Sequence, residues 1–108
     1  MKIIALLFDD VIEDSDWQSS GFTAPGADLY KLEKSLFRAH LRAIRASNPN
    51  AVLTFDDGGA SAHDISGLLE SHGFRGLFFI ATDWISRPGF LTASQIQDLA
   101  KRGHPKNV

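Results

Sequence analysis

Six apolar residues run from Ile3 to Phe8 and are closed off by two acids, Asp9 and Asp10. A short run that is apolar at every position predicts a strand buried on both faces. Val11 to Asp28 keeps no period and carries Asp14, Ser15, Asp16, Ser19, Ser20, Gly21, Pro25 and Gly26, which predicts a long loop. A loop of that length in a compact domain is either functional or poorly ordered. Leu29 to Ser47 has the strongest helical period in the chain. Leu32, Leu36, Phe37, Leu41 and Ile44 form an apolar stripe, while Lys31, Lys34, Arg38, Arg42 and Arg45 follow the same period on another face. The basic stripe reads as a solvated face, with docking of a polyanion as the alternative. Asn48-Pro49-Asn50 ends the helix, because the residue before a proline is driven out of the helical region.

Ala51 to Phe55 predicts the second strand, stopped by Asp56-Asp57-Gly58-Gly59. A helix follows from Ser61, with Ile65, Leu68 and Leu69 as its apolar positions. Ser61 and Asp64 are spaced like a capping box, and Gly73 supplies the left-handed stop. Leu77 to Ala81 predicts a third strand. Thr92 with Gln95 opens a last helix through Ile96, Leu99 and Ala100, ending at Gly103. Strand, helix and strand in succession make a βαβ unit, so the fold class is α/β with a parallel sheet and right-handed crossovers.

At 108 residues the chain has room for one domain. A net charge of −2 argues against a nucleic-acid partner. The absence of cysteine excludes disulfide scaffolds, thiolate metal sites and thiol nucleophiles. No apolar run is long enough to span a bilayer, and the short N-terminal run lacks the form of an export signal, which predicts no membrane association and a cytoplasmic chain.

Aspartate outnumbers glutamate ten to three, which moves attention to loop carboxylates. In parallel α/β folds functional groups collect at the carboxyl ends of strands, where both Asp9-Asp10 and Asp56-Asp57 fall. Asp9-Asp10 reads as turn chemistry. Asp56-Asp57 reads differently: adjacent carboxylates repel, so a turn gains nothing from the second, whereas a site dividing duties between a base and a metal ligand does.

Thr54-Phe55-Asp56-Asp57-Gly58 resembles the first motif of the polysaccharide deacetylases of carbohydrate esterase family four. The resemblance continues through Leu68-Leu69-Glu70-Ser71-His72-Gly73-Phe74, the strand Leu77-Phe78-Phe79-Ile80, Leu91-Thr92 and the helix end Ala100-Lys101-Arg102-Gly103-His104. Ser20-Gly21-Phe22 and Tyr30-Lys31-Leu32 are similar to the lead-in of some bacterial members. The resemblance implies metal-dependent removal of acetyl groups from amino sugars of a polysaccharide, with Asp56 as general base and Asp57 as ligand of zinc or another divalent ion. The family's two histidine ligands, in a His-Ser/Thr-x-x-His motif, would follow the pair aligned with Gly103-His104, and the sequence stops before them. His40, His63, His72 and His104 read as surface or helix-end residues, since three ligands must converge on a zinc ion.

The chain is therefore expected to be the opening, incomplete part of a (β/α) barrel-like deacetylase domain over residues 1–108, truncated and inactive by itself. It should bind zinc weakly and present an unpaired edge at Leu77–Ala81 with the apolar faces of Phe78 and Phe79, leading to self-association. A phosphoacceptor receiver module using Asp9, Asp10 and Asp56 is the alternative from another class; it requires a helix directly after the first acidic pair, where this sequence has a Ser/Gly/Pro segment.

Overall fold

The computed structural model describes residues 4–104 and 106–107, the last two by their backbone. Its central sheet holds β1 (Ala5–Phe8), β4 (Val52–Phe55), β5 (Gly76–Phe79) and β6 (Lys106–Asn107), all parallel and in that spatial order. The expected first-strand residue Ile3 lies outside the described residues. A second, two-stranded parallel sheet pairs β2 (Asp10–Ile12) with β3 (Lys31–Glu33). The helices are α1 (Lys34–Ser47), α2 (Ser61–Ser71) and α3 (Ala93–Lys101). No helix among the described residues is long and apolar enough to cross a membrane.

Strands added in chain order with right-handed crossovers place every crossover helix on one face of the sheet. The packing agrees. Phe37 and Leu41 of α1, Ile65 and Leu69 of α2, and Ile96 and Leu99 of α3 share one core with Leu53, Phe55 and Phe78. Pleating sends alternate residues the other way. Leu7, Val52 and Phe79 are accordingly 65%, 38% and 39% exposed. This corrects the expected surface: Phe78 is 1% exposed, and β5 is paired through Phe78 and Phe79 with β6. Among the described residues, Leu7, Val52 and Phe79 leave the sheet face opposite the three helices partly exposed.

Two further expectations change. Leu29–Ser47 is not one helix, since a 3-10 turn covers Ala27–Tyr30 and β3 precedes α1. Lys31 leaves the basic stripe altogether. Its side chain is buried and its Nζ donates to the Trp17 carbonyl at 2.6 Å. The segment after Asp10 is not all loop either, because Val11 and Ile12 are 1% exposed in β2. The Thr92–Gln95 capping box forms as the spacing predicts, with both reciprocal hydrogen bonds present.

A polar clasp joins α2, α3 and the start of β5. His104, fully buried, accepts the Gly76 N–H at Nδ1 (3.0 Å), so Nε2 carries the proton and donates to Glu70 at 2.8 Å. Glu70 also accepts from Arg102 at 2.8 Å, and Asp98 pairs with both Arg102 and His63. His104 is thus an interior anchor rather than the expected helix-end residue. The hydrogen bond from His104, reinforced by Arg102, holds the Glu70 carboxyl below its ordinary range, and His63 with Arg102 does the same for Asp98.

Carboxyls with depressed folded-state values contribute stability that is present above the unfolded value and lost as pH falls through the folded one. Unfolding in urea should therefore show stability falling below about pH 4. Glu70→Gln should lower the midpoint at pH 7 and flatten that acid limb. An unchanged limb would mean that the clasp contributes nothing to acid sensitivity.

Candidate functional site

Register puts the two acidic pairs together. Phe8 lies opposite Phe55 across the β1–β4 pair, so Asp9 and Asp56 leave the sheet side by side at its carboxyl edge. The Asp56 N–H donates to the Phe8 carbonyl at 3.0 Å, extending the ladder one step beyond the strands. Asp9, Asp10 and Asp57 line one cleft of about 240 Å³ with Gly21, Phe22, Tyr30 and Lys31. The expected convergence of both pairs at one end of the sheet is what the structure shows.

The turn that carries Asp57 is left-handed at two successive residues, Asp57 (φ 76°) and Gly58 (φ 76°). Aspartate tolerates this region better than most side chains, yet it persists only where the surroundings enforce it. They do so here. Leu91 N–H donates to the Gly58 carbonyl at 2.9 Å, Ala60 N–H donates to Gly89 at 2.8 Å, and Gly59 bridges Phe90 in antiparallel fashion. Phe90 is packed in turn against Phe22 and Trp84, with ring centroids at 4.8 and 5.1 Å.

Asp10 has a role that its sequence position did not reveal. Its Oδ1 accepts from the hydroxyls of Ser20 (3.0 Å) and Ser61 (2.7 Å), and the Ser20 oxygen accepts the Ser61 N–H at 2.9 Å. The other oxygen, Oδ2, is buried without a hydrogen-bond partner among the described residues. Asp10 is therefore a knot tying β2, the 11–28 segment and the start of α2 together beneath the Asp57 turn, not the turn acid expected. Ser61 is spent in this knot. Ala60 occupies the N-cap of α2, and no side-chain cap forms there. The fold packs Gly21 and Gly59 against this knot, and a side chain at either glycine would meet the Asp10 carboxylate.

That crowding gives a direct test. A Cβ at Gly59 would sit 2.8 Å from both Asp10 Oδ1 and Ser20 Oγ, whereas one at Gly67, exposed in the middle of α2, meets nothing within 4 Å. Gly59→Ala should destabilise by about 1–3 kcal/mol through overpacking. Gly67→Ala should stabilise by roughly 0.5–1 kcal/mol through helix propensity. Urea midpoints for the two proteins moving in the same direction would contradict this packing.

Burial, and then the neighbouring Asp56, push the Asp9 carboxyl above its ordinary range. Burial acts first on Asp57 as well, followed by Asp9, Asp56 and Asp10. For Asp10 burial outweighs the opposing hydrogen bonds from Ser61 and Ser20 and the charge of Lys31. Carboxylates that raise one another in this way favour a cation among them. The donor set does not complete a metal site, however. Among the described residues no three histidine or carboxylate side chains are grouped to hold an ion. His63 is engaged with Asp98 and His104 with Glu70, while His40 is exposed on α1 and His72 turns back to the Leu68 carbonyl.

The sequence profile of the polysaccharide deacetylase family matches residues 43–106. No curated protein matches the chain in sequence. Among solved structures, a polysaccharide deacetylase from Bacillus anthracis superposes with a TM-score of 0.70 at 16% identity, over 96% of this chain and 37% of that one. A Bacillus cereus polysaccharide deacetylase gives 0.69 at 16% identity with the same coverages. The Streptococcus pyogenes deacetylase PplD, solved in complex with acetate, gives 0.66 at 14% identity, over 99% of this chain and 54% of that one. At these identities the likeness establishes the fold, and the chain spans little more than a third of the length of the two Bacillus structures.

Proposed function

Because the chain belongs to the polysaccharide deacetylase family, we propose that its acidic cleft contributes to the hydrolysis of acetyl groups on amino sugars of a carbohydrate polymer. One observation carries the reading: Asp57, on an enforced left-handed turn at the carboxyl edge of a parallel sheet, lines one cleft with Asp9 and Asp10, and Asp56 leaves the sheet just before it, beside Asp9. This is where α/β folds place their chemistry. Strain that the surroundings impose on a carboxylate-bearing turn accords with a functional role for it.

In this proposal Asp56 is the general base and Asp57 a ligand of zinc or another divalent ion. The family is generally metal-dependent, and a bound ion supplies Lewis-acid polarisation of the acetyl carbonyl and of water. The described residues do not by themselves fit such an ion, so the chain's own part is narrower. Asp56 accepts a proton, Asp57 presents a carboxylate to the cleft, and the Asp10 knot with the 86–91 segment holds both in place. The opening of a (β/α) barrel-like domain is part of the same proposal. It is supported by a sheet wound in one direction whose helix-free face carries Leu7, Val52 and Phe79, the surface through which the isolated chain would self-associate. The receiver alternative finds no support, since Asp10 itself opens strand β2, where a receiver would have a helix follow the acidic pair.

The test is release of acetate from an acetylated chito-oligosaccharide. A chain continued through a His-Ser/Thr-x-x-His segment should release it, and the 108-residue chain should not. A continued chain that binds a divalent ion yet releases no acetate would overturn the proposal.

A further inference from the structure

We propose that the outer edge of β1 and the flank of α1 beside it form a docking surface for a second copy of this chain, joined as a two-fold dimer through antiparallel β1 strands. The surface is separate from the acidic cleft and from the helix-free face of the sheet.

Among the described residues β1 pairs only with β4 and ends the sheet. The carbonyls of Ile4 and Phe8 accept from the Val52 and Asp56 N–H groups, and the Leu6 carbonyl accepts from the Thr54 hydroxyl. Main-chain groups of successive strand residues point to opposite sides. Ala5 and Leu7 therefore turn their N–H and C=O groups outward, where no described strand meets them. Proteins usually blunt such an edge with charge, proline or a covering element. Ala5-Leu6-Leu7-Phe8 carries no charge and no proline.

The helix beside the edge leaves it open. A groove of about 350 Å³ runs between Leu6, Leu7 and Phe8 of β1 and His40, Ala43 and Ile44 of α1. Leu36, His40, Ala43 and Ser47 recur at helical spacing, all are exposed, and none is a lysine, arginine or acid. Lys34, Arg38, Arg42 and Arg45 keep to the rest of the circumference. This flank is dry and short enough at Ala43 to admit another helix closely.

The pattern is self-complementary, which points to a second copy. Antiparallel pairing centred on Leu6 sets Ala5 opposite Leu7 of the second copy at each end. The outward groups of those residues then exchange both N–H···O=C bonds of a hydrogen-bonded pair. A two-fold axis normal to the sheet also keeps both α1 helices on one face, flank to flank. The contact closes on itself, as the commonest oligomers do. A four-residue edge and one helix flank make a small interface, so the dimer should be weak and reversible.

Sedimentation of the 108-residue chain over a concentration series should show a monomer–dimer step, and the Ala5 and Leu7 amides should exchange with deuterium more slowly as the dimer forms. Ala5→Pro removes an outward N–H without touching the β4 ladder. Ala43→Glu brings two carboxylates together across the axis while keeping a good helix former at an exposed position, so its monomer should melt with the wild type. Each should weaken dimerisation at least about tenfold. Val52→Lys, on the helix-free face, should change it by less than about twofold. A chain that stays monomeric up to about 1 mM overturns the proposal. So does a dimer that persists in Ala43→Glu, or one that Val52→Lys abolishes. If Ala5→Pro fails to fold, Ala43→Glu and the amide exchange of the parent chain still decide.

Discussion

Asp56→Asn in a chain continued through the family's histidine motif is expected to lower turnover by about 100- to 10,000-fold with little change in KM, the range that a positioned general base contributes. Asparagine keeps the size of the side chain and its ability to accept a hydrogen bond, but it takes up no proton at working pH. The substitution leaves the main-chain link from Asp56 N–H to the Phe8 carbonyl untouched, so the geometry of the strand end should survive. Asp57→Ala should instead remove metal binding, which calorimetry reads independently of turnover. Asp10 makes the informative contrast. Its Oδ1 is occupied by the hydroxyls of Ser20 and Ser61, so Asp10→Asn should act on stability before it acts on chemistry. Turnover of Asp56→Asn within about threefold of the parent would remove Asp56 from the role of base.

Phe37→Ala should cost about 3–5 kcal/mol, the usual loss for deleting a buried aromatic ring. Phe37 has no exposed surface and meets Phe8 edge-on at 5.2 Å and Phe55 at 6.0 Å. Phe8 stacks on Phe55, and Phe55 on Phe78. The ring thus joins α1 to β1 and β4 directly, and to β5 through Phe55. Against a total of about 5–15 kcal/mol for a domain, such a loss brings the chain close to unfolding at room temperature. Leu36, next to it, is 49% exposed, and Leu36→Ala should move the urea midpoint only slightly, by about 0.5 kcal/mol or less. Equal effects from the two substitutions would mean that α1 is rotated about its axis relative to the sheet.

Those neighbours show where the sequence was legible and where it was not. The period of α1 identified an apolar stripe but could not distinguish Leu36 at its margin from Phe37 at its centre, because that depends on which strand the helix meets. The β4–α2–β5–α3 succession was readable because each element is bounded by its own local signal: Asp-Asp-Gly-Gly after β4, Gly73 after α2, and Thr92 with Gln95 before α3. Strands β2 and β3 carry no such signal. Each has three residues, and each is defined by a partner some twenty positions away that pairs Val11 with Leu32. Lys31 fell into the helical basic stripe by spacing alone, and only the Trp17 carbonyl explains why it is buried. At the site, Thr54-Phe55-Asp56-Asp57-Gly58 stood out because two adjacent acids are costly without a function. Asp10 was hidden for the opposite reason, since its partners Ser20 and Ser61 are ordinary loop and helix-start residues until the fold brings them together.

The agreement between strand order in the sheet and strand order in the chain bears on how the molecule is made. After β1 meets β4 across an intervening helix, each later strand joins the edge left by the one before it, about twenty-five to thirty residues further on. Loop-closure entropy rises only slowly with such intervals, and none of these steps waits for a distant segment. A ribosome releasing this chain from its amino end supplies the strands in the order in which the growing edge accepts them. Assembly can thus follow synthesis one βα unit at a time, and the Asp56-Asp57 turn, lying between the second and third strands added, takes its shape only once the 86–91 segment has emerged to brace it.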